Sequence, residues 1–131
     1  MTLVLDASSV LVVCSATDGF RIFSGEGLIA PPHMWAEARS GLHEALWRRE
    51  IDEELALGTL ANLHQAPIRP RSPAALGDEA WRVAEGFGWA KTYDAEYVGL
   101  ARLSRSRLVT EDARLRRRTQ HLGFVISLAD L

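Results

Sequence analysis

Short apolar stretches alternate with helical patterns along nearly the whole chain, and this alternation limits the possible folds more than any other feature. Thr2–Leu5 reads as a buried strand, and Ala7–Ser15 then reads as a helix. Leu28–Ala30 is a second strand candidate, stopped by Pro31-Pro32. From His33 to about Arg49, apolar residues at Trp35, Ala38, Leu42, Ala45 and Leu46 recur at helical spacing. Asp52 is a candidate N-cap for a further helix ending at His64. Pro67–Arg69 is a candidate edge strand, and Ser72-Pro73 reads as a helix start, a capping hydroxyl followed by proline at the first helical position. That helix should run to about Phe87 and stop at Gly86 and Gly88. Asp94–Arg105 predicts a helix whose apolar middle (Tyr97, Val98, Leu100, Ala101, Leu103) should be buried. Leu108–Val109 and Phe124–Ile126 predict strands on either side of a short basic helix, Asp112–Thr119. Strands separated by helices pair in parallel through crossovers, which places helices on both faces of the sheet. The expectation is a single α/β domain over residues 1–131.

The bulk properties narrow the setting. A chain of 131 residues buries enough surface for a core without staples, roughly two thirds of what its unfolded form exposes. Cys14 is the only cysteine, so neither an internal disulfide nor a cysteine-based zinc cluster can form. That fits a reducing cytosol. No stretch approaches the ~20 apolar residues needed to span a bilayer. No basic residue precedes the first apolar stretch, and Asp6 interrupts it, so a signal peptide is not expected. The expected location is cytoplasmic, with no membrane partner.

The net charge of −2 excludes a generally basic nucleic-acid binder. The charge is unevenly placed, however. Between Arg102 and Arg118 seven arginines face only two acids, Glu111 and Asp112. A local basic stripe of this kind can bind phosphates even when the whole chain is acidic, although it reads equally as a solvated helix face.

Three times an Asp-Ala pair opens a predicted helix: Asp6-Ala7, Asp94-Ala95 and Asp112-Ala113. Asp6 and Asp112 follow predicted strands, at the carboxyl edge of the sheet where open α/β folds bind ligands. Each aspartate taken alone reads as an N-cap, worth about 1 kcal/mol to its helix, and Tyr93 with Val98 would supply a hydrophobic staple around a capping Asp94. Together they read differently. Carboxylates brought within ~4–6 Å of one another raise each other's pKa unless a cation lies between them. A hard divalent ion is the natural occupant, and it can activate a water and stabilise charge on a phosphoryl group.

Four stretches in order resemble the PIN-domain nucleases, and among them the VapC-type toxins of bacterial toxin–antitoxin pairs. These are Leu3-Val4-Leu5-Asp6-Ala7-Ser8-Ser9, then Ile29-Ala30-Pro31-Pro32 with Glu37 and Leu42, then Tyr93-Asp94-Ala95-Glu96-Tyr97-Val98-Gly99-Leu100-Ala101, and last Leu108-Val109-Thr110-Glu111-Asp112-Ala113-Arg114-Leu115. The segment from about Arg49 to Gly88 adds only its helical character. The resemblance implies a three-layer α/β/α fold with a short parallel sheet of about five strands. It implies that Asp6, Glu37, Asp94 and Asp112 bind Mg2+ or Mn2+ and cut RNA with a metal-activated water, with Ser8 and Thr110 supporting them. It also implies a cognate antitoxin, a homodimer, and RNA cut at single-stranded loops, where unstacked bases are read most easily.

Periodicity gives a different view of Glu37, which falls with Gly41, Glu44 and Arg48 on the polar side of its helix. Only the resemblance brings it into a cleft. Glu111 competes with Asp112 for the fourth acidic position, and Asp112 is preferred for its helix-opening context. Beside the acids, Arg114, Arg116 and Arg117 are the candidates for holding an RNA backbone. The histidines (33, 43, 64 and 121) show no metal-binding spacing and read as structural or surface residues. Trp35, Trp47 and Trp81 read as core or interface, whereas Trp89, in the glycine-bearing loop before Asp94, is a candidate for base stacking or for packing. A receiver domain would show adjacent acids after the first strand and a late lysine, but Ala7-Ser8 follow Asp6 and no lysine lies beyond Lys91. A dehalogenase-type phosphatase would need a second aspartate where Ser8 stands. The remaining alternative is a non-catalytic PIN-like module that binds RNA or protein.

Overall fold

The computed structural model describes residues 1–131. Its regular elements are β1 (Thr2–Leu5), α1 (Ala7–Cys14), β2 (Gly27–Ala30), α2 (His33–Trp47), α3 (Glu53–His64), β3 (Arg69–Pro70), α4 (Leu76–Phe87), α5 (Tyr93–Ser104), β4 (Arg107–Val109), α6 (Ala113–Thr119) and β5 (Val125–Ile126), with short 3-10 turns between some of them. The five strands form one sheet in the order β3-β2-β1-β4-β5. Every pair is parallel, and Leu3 sits between Leu28 of β2 and Arg107 of β4. The fold class expected from the alternation is the one observed.

The central strand explains why the sheet needs cover on both sides. Leu3, Val4 and Leu5 are all fully buried, as a continuous apolar run must be when helices lie on both faces. Helices α1, α2 and α3 pack on one another, while α4 and α5 form a separate pair of which α5 lies against β1 and β4. The result is a three-layer α/β/α arrangement. The α4–α5 contact is close at Gly99, where an added Cβ would lie 3.4 Å from the Ala80 backbone nitrogen.

The strand order has a functional consequence. From β1 the chain builds outward through β2 and β3, then returns to place β4 on the other side of β1. The carboxyl end of β1 is therefore the topological switch point, where the connections diverge and leave a crevice.

Several boundaries differ from the sequence reading. The Ser72-Pro73 start is not used: α4 begins at Leu76, after a turn in which the Leu76 N–H bonds the Pro73 carbonyl, and no side chain caps it. The edge strand lies at Arg69–Pro70 rather than Pro67–Arg69, because the Ile68 N–H turns back to the Ala66 carbonyl before the ladder begins. Proline is tolerated at such an edge because its missing N–H faces no partner strand. The expected core or interface role of the tryptophans holds as core for Trp35, which packs against the interior. Trp47 and Trp81 are 79% and 65% exposed and belong to no core.

Candidate active site

Asp6 and Asp112 both cap the helices that follow them. Asp6 ends β1 in an extended conformation, and its Oδ1 accepts the Ser9 N–H at 2.9 Å and the Ser8 hydroxyl at 2.8 Å. Its Oδ2 accepts the Thr110 hydroxyl from the loop after β4. Ser8 and Thr110 in turn accept the N–H groups of Glu111 (2.9 Å) and Asp112 (3.1 Å). The two loops at the carboxyl edge are thus tied together through one buried carboxylate. Burial pushes the Asp6 carboxyl above its ordinary range, and the hydrogen bonds from Thr110, Ser9 and Ser8 oppose that rise. Asp112 accepts the N–H groups of Arg114 and Leu115 at 2.9 and 3.3 Å, and its side chain stays exposed.

Asp94 does neither job, contrary to its sequence context. α5 starts one residue earlier, at Tyr93, so Asp94 lies inside the first turn and caps nothing. No staple forms around it, because Tyr93 is itself helical and 57% exposed. Its carboxylate instead looks onto an open cleft of about 740 Å³, which it shares with Glu37 from α2 and Asp112. Partial loss of water at the cleft wall, then the charges of Glu37 and Asp112, push the Asp94 carboxyl up; Arg118 and His33 act weakly in the other direction. A carboxylate raised first by lost hydration and then by two like neighbours carries an electrostatic strain that helix capping does not explain.

Glu37 reaches the cleft although its helix periodicity suggested a solvated position. It is half-buried, and its Oε1 accepts the hydroxyl of fully buried Tyr97 at 2.9 Å. Burial and the adjacent Glu37 charge hold the Tyr97 phenol far above its usual pKa, so it remains a donor at any ordinary pH. Asp6 does not line the cleft. It lies close enough behind to add its charge to the forces acting on Tyr97.

The four acids therefore divide into three at the surface and one beneath. As the side chains stand, no three Asp, Glu, His or Cys residues close around a common point. Their chemistry still suits a hard divalent cation, since Glu37, Asp94 and Asp112 offer oxygen ligands and their mutual repulsion falls on Asp94.

The basic residues are rearranged relative to the sequence reading. Arg114 lines the cleft, but Arg116 does not: its Nη1 donates to the Thr110 carbonyl at 2.9 Å, bracing the loop from behind. Arg117 also lies outside the cleft, whereas Arg118 lines it, together with Lys91. The missed signal was periodicity, since 114 and 118 are one helical turn apart and share a face. Glu111, the other candidate for the fourth acidic position, does not line the cleft; its Oε1 accepts the Leu128 N–H at 2.7 Å and anchors the last turn of the chain. The sequence reads His33 as structural. Its ring stacks on Tyr93 and lies tilted against Tyr97, at separations of 5.7 and 4.8 Å, and it sits close enough to Asp94 to oppose the rise of that carboxyl.

Fold and site together define an α/β domain with a cleft, lined by three acids, two arginines and a lysine, beside the carboxyl edge of its sheet. No family model matches the chain, and no curated protein matches it. Among solved structures it is similar to the crystal structure of PAE2754 from Pyrobaculum aerophilum, with a TM-score of 0.73 and 23% identity over 99% of this chain and 85% of that one. At that identity the likeness concerns the fold.

Proposed function

We propose that this chain is a Mg2+- or Mn2+-dependent endoribonuclease of the PIN type, acting as the toxin of a type II toxin–antitoxin pair. The observation that carries the nuclease reading is Asp94, a carboxylate that caps no helix and faces Glu37 and Asp112 across the cleft. Glu37, Asp94 and Asp112 would hold the ion, with Asp6 behind them. When bound, a divalent ion supplies an activated water and neutralises charge developing on the phosphoryl group. The chain's own residues set the stage for that chemistry. Tyr97 fixes the orientation of Glu37 through its hydroxyl. Ser8 and Thr110 hold Asp6 and the loop bearing Asp112 in register. Arg114 and Arg118 lie where they can hold the RNA backbone against an acidic cluster that would otherwise repel it.

The toxin assignment rests on the PIN-like motifs quoted above. It brings with it a cognate antitoxin that neutralises the cleft, a homodimer, and a cytoplasmic setting. The structure contains no helix long and apolar enough to cross a membrane. A second reading, a non-catalytic PIN-like binding module, draws support from Asp6 and Asp112, whose capping bonds give both a structural reason to be present.

One experiment separates the two. Purified wild type, Asp6→Asn and Asp94→Asn are compared for cleavage of total cellular RNA with Mg2+ or Mn2+ and with EDTA. The nuclease reading expects metal-dependent cleavage by wild type and none by either folded variant. Wild type free of antitoxin that cuts no RNA under any of these conditions would leave the binding module standing.

A further inference from the structure

The acids are only part of the lining of the cleft. The turn that ends α4 lines it as well, and the chain there is shaped by a glycine. Gly88 adopts a left-handed conformation (φ 69°), which favours glycine because a side chain would be strained there. Its N–H bonds the Glu85 carbonyl at 3.2 Å, and the Trp89 N–H bonds the Ala84 carbonyl at 2.9 Å. This paired closure of the last helical turn brings the residues on either side of the glycine together. Phe87 and Trp89 stack with ring centroids 4.6 Å apart and planes 15° from parallel, and Phe87 also contacts His121 at 5.5 Å. Both rings remain partly exposed and line the cleft, as do Lys91, Arg114 and Arg118.

We infer that Trp89, backed by Phe87, is a stacking platform for one unpaired nucleobase of the substrate, with Lys91, Arg114 and Arg118 holding the flanking phosphates. This inference rests on the nuclease reading and names the residue that positions the strand. The geometry favours a base over a purely aliphatic ligand. A flat indole held rigid by a second ring offers a surface on which any base can stack. Three cations lining the same cleft match the phosphates that a base brings with it. The indole packs partly against the core and keeps part of its surface in the cleft, as Phe87 does. Stacking is tolerant of base identity, so the platform would select an unpaired nucleotide rather than a particular letter. A base inside a duplex cannot reach it without leaving its stack.

The test uses the full chain carrying Asp94→Asn, so that binding is measured without turnover. Indole fluorescence and anisotropy are followed as a short single-stranded RNA of mixed sequence is added, with an abasic strand of equal length and an RNA duplex as comparisons. The expected result is quenching with the single strand, absent for the abasic strand and weak for the duplex. The quench should vanish in Trp89→Leu and persist in Trp81→Phe. Trp89→Leu should weaken single-strand binding by roughly ten-fold or more, with Trp89→Phe recovering most of it. In the active background Trp89→Leu should raise KM more than it lowers kcat. A single strand that binds Trp89→Leu as tightly as the parent, or an abasic strand that quenches equally, overturns the platform while leaving metal-dependent cleavage untouched. Conversely, base-dependent quenching by a chain whose wild type cuts no RNA would sustain the platform and remove the nuclease.

Discussion

Asparagine has nearly the shape of aspartate and caps a helix about as well, so exchanging the two removes a charge with little other change. The exchange should have opposite consequences for activity and stability at Asp94. Its carboxyl is raised in the folded chain by the cleft wall and by Glu37 and Asp112. A raised folded pKa means that the native state binds the proton more tightly than the unfolded chain. The ionised form is then a net cost, present above the folded pKa and absent below the unfolded one. Metal-free Asp94→Asn should therefore melt slightly higher than wild type at neutral pH, and the two curves should converge as pH falls below the ordinary carboxylate range. Thermal melts at several pH values in EDTA check this; a variant that melts lower at neutral pH would show that Asp94 stabilises the fold. Stability given up at one carboxylate is a usual mark of a working site. The Asp-Ala pair by itself does not separate Asp94 from the other two aspartates, because all three precede alanine at a helix start. One available difference pointed the right way: Asp6 and Asp112 each follow a predicted strand that delivers an extended cap residue, and Asp94 does not. Thr92 and Tyr93 stand in its place, and the helix begins one residue sooner.

Among the elements, the long periodic ones and the buried strands were legible, and the short ones were not. β1 and α1 are fixed by a run of apolar residues followed by an aspartate cap, signals that act over a few residues and need no tertiary help. β3, by contrast, is two residues whose placement depends on pairing with β2, so nothing local could locate it. The start of α4 failed for a related reason: Ser72-Pro73 has the right chemistry for a cap, but the chain spends those residues in a turn instead. α6 shows how a correctly placed element can still leave open which of its residues face the cleft. The sequence places the helix itself, and proximity to Asp112 points to Arg114, Arg116 and Arg117 alike, without regard to face. Helical geometry places Arg118 with Arg114 on the cleft side. Arg118→Glu should accordingly weaken single-stranded RNA binding and reduce its salt slope by about one counterion, whereas Arg117→Glu should change both much less. Equal losses from the two reversals would mean that RNA is held by the general charge of α6, with no preference for the cleft.

The whole molecule links the site to the core through α1, whose first turn is capped by Asp6 and whose last buried residue is Cys14. That link gives a way to detect the cation without measuring cleavage. The Cys14 thiol is 1% exposed, and burial pushes its pKa to about 11 from 9.0. The native state therefore favours the protonated thiol, so stability is insensitive to this group through neutral pH and falls only as pH rises from about 9 toward 11. At neutral pH the thiol is both hidden and protonated, and a thiol reagent can reach it only when the fold opens. With fast reclosing, the labelling rate reports the open population. An ion bound only by the native state lowers that population by mass action, by about 2.7 kcal/mol at one hundred times its Kd, or roughly a hundred-fold in rate. Mn2+ should therefore slow modification of Cys14 in wild type, EDTA should restore the rate, and Asp94→Asn should respond far less. Equal protection in both proteins would place the ion away from Asp94. A wild-type rate indifferent to Mn2+ would mean that the free protein takes up no ion, leaving the RNA phosphate to complete the site.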